Sequence, residues 1–131
     1  MRRTIPRGFT LIELLIVVII IGLLAAIAIP KLNAVRKKSQ RAAMMSDLRN
    51  LAAAQEVNHN DNFTFSSDLT ALGAVQSDGV TLSVNEASNT GWAATAVHAG
   101  VPGEQCGIYH GSANPSGGDP APVVSVVGCS F

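Results

Sequence analysis

Residues Phe9 to Ile29 read FTLIELLIVVIIIGLLAAIAI, and only Thr10, Glu13 and Gly22 interrupt the apolar run. Wound as a helix at 1.5 Å per residue, this stretch is roughly 31 Å long, about the thickness of a bilayer's hydrocarbon core. Pro30 follows; a proline inside a helix removes one N–H and crowds the preceding turn, so a kink or loosening is expected there. Beyond it the pattern changes. Leu32, Val35, Ala42, Met45, Leu48, Leu51, Ala52 and Gln55 recur at steps of three and four, with Lys37, Lys38, Gln40, Arg41, Asp47 and Arg49 between them. That is an amphipathic helix. It is expected to run to about Val57 and to end at His59-Asn60-Asp61-Asn62. A helix from Phe9 to Val57 would measure roughly 70 Å. A 13.6 kDa chain cannot bury such a rod in its own core, so part of it must lie in lipid or against other subunits.

Charge is segregated along the chain. The formal net charge is +0, but Arg2, Arg3 and Arg7 precede the apolar run and Lys31, Arg36, Lys37, Lys38 and Arg41 follow it. From Ser46 onward Arg49 is the one base against Asp47, Glu56, Asp61, Asp68, Asp78, Glu86, Glu104 and Asp119. An acidic distal region argues against direct nucleic-acid binding. The bases at 31–41 read as an anchor at a membrane surface.

After Asn62 the signals are those of turns and strands. Leu69–Ala74 reads as a short helical turn, and Val80-Thr81-Leu82-Ser83-Val84 alternates as a half-buried strand does. Trp92–His98, Gln105–His110 and Val123–Val127 read as three more strands, the last ending at Cys129, with a Gly/Pro/Ser-rich loop over Ser112–Pro122. Cys106 and Cys129 are the chain's two cysteines. In an exported protein an even pair reads as a disulfide; in a cytosolic one it would be two buried thiols.

Three explanations compete for the first thirty residues: a secretory signal peptide with Ala26-Ile27-Ala28 as its cleavage site, a plain membrane anchor, or a filament-forming segment. Glu13 separates them. A carboxylate within an apolar run costs about 2.5–3.5 kcal/mol at mid-bilayer and less near the interface, and neither a signal peptide nor an anchor needs it. Cleavage after Gly8 would give Phe9 a free amine, positively charged at neutral pH. The Glu13 of one subunit could then neutralise the Phe9 amine of its neighbour. Mispaired registers would leave both charges costly, which sets an axial stagger.

Arg7-Gly8-Phe9-Thr10-Leu11-Ile12-Glu13-Leu14-Leu15 resembles the N-terminal signal of type IV prepilins and type II secretion pseudopilins: a short basic leader, glycine, an aromatic, three residues and glutamate in an apolar helix. The resemblance implies that a prepilin peptidase cuts between Gly8 and Phe9 and N-methylates Phe9, and that Glu13 is the assembly glutamate. It also places helix flexibility at Gly22 and Pro30. An assembly ATPase and a polytopic platform protein are implied as partners. Strong similarity covers residues 7–35. Farther on, the family's long helix packed on an antiparallel sheet, with a C-terminal loop bounded by a disulfide, is matched in outline by Cys106 and Cys129.

Other chemistry is weaker. His59, His98 and His110 with Cys106 fit no zinc spacing. Asp68, Asp78, Glu86 and Asp119 could offer calcium oxygens, yet only Asp119 lies in the C-terminal loop where the family's secretion members bind calcium. Ser, His and Asp occur without a nucleophile-elbow motif, so the chain is read as no enzyme and as needing no cofactor. Trp92 and Tyr109 read as core.

The expected fold is therefore α+β. A leader (1–8) precedes a transmembrane and filament-core helix (9–30), the amphipathic second half of that helix (31–58) and a small antiparallel sheet domain (59–131). The expected function is a subunit of a type IV pilus-like filament serving adhesion, twitching or DNA uptake, homomeric or mixed with other pilins. It would wait in the inner membrane before reaching the cell surface. Two alternatives stay open: a type II secretion pseudopilin, and a soluble exported binding module released at Ala28.

Overall fold

A computed structural model describes residues 8–114, 121 and 123–131. The leader residues before Gly8, most of the expected 112–122 loop and Asp119 lie outside the described residues. The chain divides into two compact units, residues up to Arg36 and Lys37–Phe131.

One helix, α1 (Leu11–Asn62), begins in the first unit and ends in the second. In the first unit its side chains are almost all exposed, with Leu11–Ile29 presenting leucine and isoleucine all round. It is long and apolar enough to cross a membrane. Pro30 lies inside the helix, which continues without a break on either side of it.

In the second unit α1 buries Met44, Asp47, Leu48, Leu51 and Gln55, a stripe at the helical repeat. Two of these depart from the sequence reading. Asp47, expected on the polar face, is 4% exposed because its two carboxylate oxygens accept the backbone N–H (2.7 Å) and hydroxyl (2.8 Å) of Ser77. Met44 rather than Met45 is the fully buried methionine. Gln55 is fully buried and doubly used: its amide donates to Ser66 O (2.6 Å) and its oxygen accepts from Ser66 N (2.9 Å). Asp47→Ala removes both acceptors from Ser77 and should cost about 1–3 kcal/mol. Urea unfolding of the full chain in detergent measures this, with Asp47→Asn expected to lose less.

The helix ends one turn later than expected. Asn62 donates to Asn58 Oδ1 (2.9 Å), and Asn58 donates to Thr64 O (2.7 Å), so the asparagines close the last turn instead of breaking it. Phe63 then donates its N–H to His59 O (2.8 Å) at φ 56°, a left-handed stop. For a residue with a Cβ that conformation costs roughly 1–2 kcal/mol.

The sheet is an antiparallel meander in the order β1-β2-β3-β4. Its strands are β1 (Val80–Ala87), β2 (Gly91–His98), β3 (Gln105–Gly111) and β4 (Gly128–Cys129). β1 is longer than the alternation foretold, with a bulge between Val84 and Glu86. The fourth strand is displaced from its expected place. Ser125 has φ 61° and donates its N–H to Tyr109 O (2.7 Å), and Val126 bonds back to Val123, so residues 123–126 form a turn. Pairing resumes only at Gly128–Cys129, where Cys129 faces Cys106 and is bonded to it. The turn at Asp68–Ala74 is observed, with Leu72 N bonding Asp68 O and Ala74 N bonding Leu69 O.

Trp92, Ala94 and Ala96 of β2, Leu82 of β1 and Cys106 and Ile108 of β3 form one cluster with Met44, Leu48, Leu51, Phe65 and Val101. The alanines of β2 are small enough for the sheet to lie close to α1. Trp92 is a core residue, as expected, though its Nε1 has no hydrogen-bond partner among the described residues. Tyr109 is only half-buried.

Candidate assembly site at the helix start

Phe9 precedes α1 and is 82% exposed, and Gly8 beside it is also exposed. Thr10 is the N-cap. Its hydroxyl oxygen accepts the Glu13 N–H (3.3 Å), while Glu13 Oε2 accepts both the Thr10 N–H and the Thr10 hydroxyl, each at 2.8 Å. Thr10-Leu11-Ile12-Glu13 is thus a capping box, which satisfies donors that the first turn of a helix leaves open. The sequence reading gave Glu13 an intermolecular task only. The missed signal was threonine three residues before glutamate at the head of an apolar run.

The capping box lessens the penalty of holding a carboxylate in apolar surroundings. It occupies only one oxygen: Glu13 Oε1 has no partner among the described residues. Gly22 and Pro30 lie farther along the same helix, and a Cβ at Gly22 would have open space around it.

The second unit carries a different polar cluster. Arg41 grips Glu104 through two hydrogen bonds (2.8 and 2.6 Å), and its guanidinium lies 4.4 Å above the Phe131 ring. These contacts tie α1 to the β2–β3 loop and to Phe131. The Arg41 hydrogen bonds hold the Glu104 carboxyl below its ordinary range, and the same bonds raise Arg41. A depressed carboxylate contributes stability that is complete above its unfolded pKa, about 4.3, and is lost as pH falls through the lower folded value. The stability gap between wild type and Glu104→Gln should therefore be constant near neutrality and close below about pH 4. Thermal melts of both chains against pH would show it. A gap that widens on acidification would contradict it.

The remaining candidate groups do other things. Cys106 is in the disulfide and offers no thiolate. His59 stacks on Phe65 at 4.4 Å, and His98 Nδ1 accepts the Gly100 N–H (2.9 Å). His110 Nδ1 lies 2.7 Å from Ser125 Oγ, but its Nε2 is 3.9 Å from Glu56, beyond hydrogen-bond length, so among the described residues no carboxylate orients that ring. Among the described residues no group of three His, Cys, Asp or Glu side chains could hold a metal ion.

The model for the prokaryotic N-terminal methylation motif matches residues 6–29, which include the capping box and the Gly8–Phe9 junction. The type IV wide pilus major component PilA4 of Thermus thermophilus is 39% identical over 98 residues, covering 72% of this chain and 75% of that protein. This chain belongs to the type IV pilin family. The pilin is also 32% identical over 126 residues to the type IV major pilin PilA of Myxococcus xanthus, covering 91% of this chain and 57% of that one. Over 62 residues it is 39% identical to the type II secretion system core protein G of Klebsiella michiganensis, covering 47% of the pilin and 44% of the secretion protein. The α+β architecture and the N-terminal signal of this pilin agree with that membership.

Proposed function

We propose that this pilin is a structural subunit of a type IV pilus, cut between Gly8 and Phe9, N-methylated on Phe9 and assembled through its apolar helix. The observation that carries the reading is the Gly8–Phe9–Thr10–Glu13 constellation at the head of a membrane-length helix. Cleavage creates a cation at Phe9. Glu13, with Oε2 engaged by Thr10 and Oε1 without a partner among the described residues, can accept that cation from a neighbouring subunit. The role is structural rather than enzymatic. Its partners are other copies or other pilins, the peptidase that also methylates it, and a platform protein with its ATPase. The subunit waits in the inner membrane and moves to the cell surface as filament.

Similarity to core protein G favours a second reading, a pseudopilin of a type II secretion system. The greater coverage of the Thermus and Myxococcus pilins favours the pilus. The mass of the N-terminal peptide from membrane and sheared-surface fractions tests both. A chain beginning at N-methylated Phe9 in the sheared fraction supports the pilus. The same chain confined to membranes, with secretion lost on deletion, supports the pseudopilin. A chain beginning at Ile29 overturns both and leaves a released soluble domain.

A further inference from the structure

Where α1 ends, the chain reads Asn62-Phe63-Thr64. Asparagine, any residue but proline, then threonine or serine is the triplet at which a sugar chain is joined to asparagine, and it belongs on the surface of an exported protein. Of the chain's eight asparagines, Asn62 is the one that begins such a triplet; in Asn114-Pro115-Ser116 the proline excludes it. A triplet this short carries weight only where its surroundings fit.

Here they fit. Asn62, Phe63 and Thr64 are exposed in succession, as are Asn60 and Asp61 before them. Phe63, at φ 56°, stops the helix, so the triplet stands at a surface turn. The Asn62 amide nitrogen carries two N–H groups. Among the described residues it uses one, donated to Asn58 Oδ1 (2.9 Å). A glycosylated amide keeps one N–H, so the bond that closes the helix end can persist beside the sugar. The Thr64 hydroxyl makes only a long bond to Phe65 O (3.3 Å) and is exposed, open to recognition by a transferase. The Cys106–Cys129 bridge marks the second unit as a resident of an oxidising compartment outside the cytosol.

We propose that Asn62 is an N-glycosylation site, taking a sugar chain from a lipid-linked oligosaccharide diphosphate. In the transfer, the bond from Asn62 Nδ2 to the anomeric carbon forms as the bond from that carbon to the diphosphate oxygen breaks. The lipid diphosphate leaves with the electron pair, and the amide proton passes to a base of the transferase. No oxidation or reduction is involved. A hydrophilic chain at this turn gives it a solvated cover, with the 78% exposed Phe63 at its centre. The proposal requires only that the second unit is exported and is independent of which filament the subunit enters.

Mass spectrometry of the full chain purified from its own cells tests it. Cleavage after Glu56 and Glu86 releases the peptide that carries Asn62. In wild type that peptide should bear a sugar mass, and fragmentation should place it on Asn62. Thr64→Ser should keep the modification, whereas Thr64→Ala, which leaves Asn62 in place, and Asn62→Gln should lose it entirely. An unmodified wild-type peptide overturns the proposal, as does a sugar placed on a serine or threonine, or one retained on Asn62 in Thr64→Ala. The peptide bonded through Cys106 and Cys129 reports export in the same sample; free thiols there would remove the compartment and the proposal with it. None of these results decides between pilus and pseudopilus.

Discussion

In the Glu13→Ala chain the leader should still be removed at Gly8 and filaments should not form. Removing the carboxylate leaves each incoming Phe9 amine without its counter-charge in the apolar bundle. At about 2.5–3.5 kcal/mol for a lone charge in such surroundings, subunit incorporation should fall on the order of a hundredfold. The capping box adds a control. Glu13→Gln keeps an oxygen to accept the Thr10 N–H but carries no charge, so it preserves the helix start and removes the ion pair. It should assemble as poorly as Glu13→Ala. Quantifying pilin in sheared and membrane fractions of both strains decides the matter: filaments from Glu13→Gln at the wild-type level would mean that Glu13 serves only its own helix.

Cys129→Ser should lower the stability of the second unit by about 3 kcal/mol on the chain-entropy account of a bridge whose cysteines are 23 residues apart. For a unit of this size that corresponds to a fall in Tm on the order of 10–20 °C. The strand it secures is weak, since β4 is only two residues long. Without the bond, residues 123–131 are held to β3 by the two-residue ladder, by Ser125 N on Tyr109 O, by the bonds between Gln105 and Ser130 and by the Ser125 hydroxyl on His110. Melts of the full chain in detergent, with and without reductant, should show wild type losing the same increment on reduction and Cys129→Ser losing nothing further. Identical melts for all four samples would show that the bridge contributes nothing.

Much of this architecture is legible in the residue order because it rests on patterns longer than one turn. The apolar run of Phe9–Ile29, the three- and four-residue spacing after Pro30 and the alternation of Val80, Leu82 and Val84 each repeat a physical period several times. What escaped was set by single contacts. Asp47 reads as a surface acid until Ser77 is brought to it from thirty residues away. Asn62 reads as part of a helix-ending run, yet it closes the turn by bonding Asn58, which in turn bonds Thr64. Val123-Val124-Ser125-Val126-Val127 is rich in strand formers but lacks alternation, and one left-handed serine turns it. At the assembly site, the glycine, aromatic and glutamate pattern was readable. The threonine that holds the glutamate was readable too, from its spacing, and was overlooked.

Each strand of the sheet pairs only with its immediate neighbours in sequence. A meander of this kind has no long loop to close before its first contacts form, so its topology favours quick folding. The order also suits a polypeptide threaded through a translocation channel N-terminus first. α1 emerges with its buried stripe ready, the β1–β2 hairpin can zip onto it, β3 adds to the growing edge, and oxidation of Cys106 with Cys129 locks the last piece. Crossing and folding can then proceed together for α1, β1, β2 and β3, while the outer edge of β3 stays open until Gly128–Cys129 arrives.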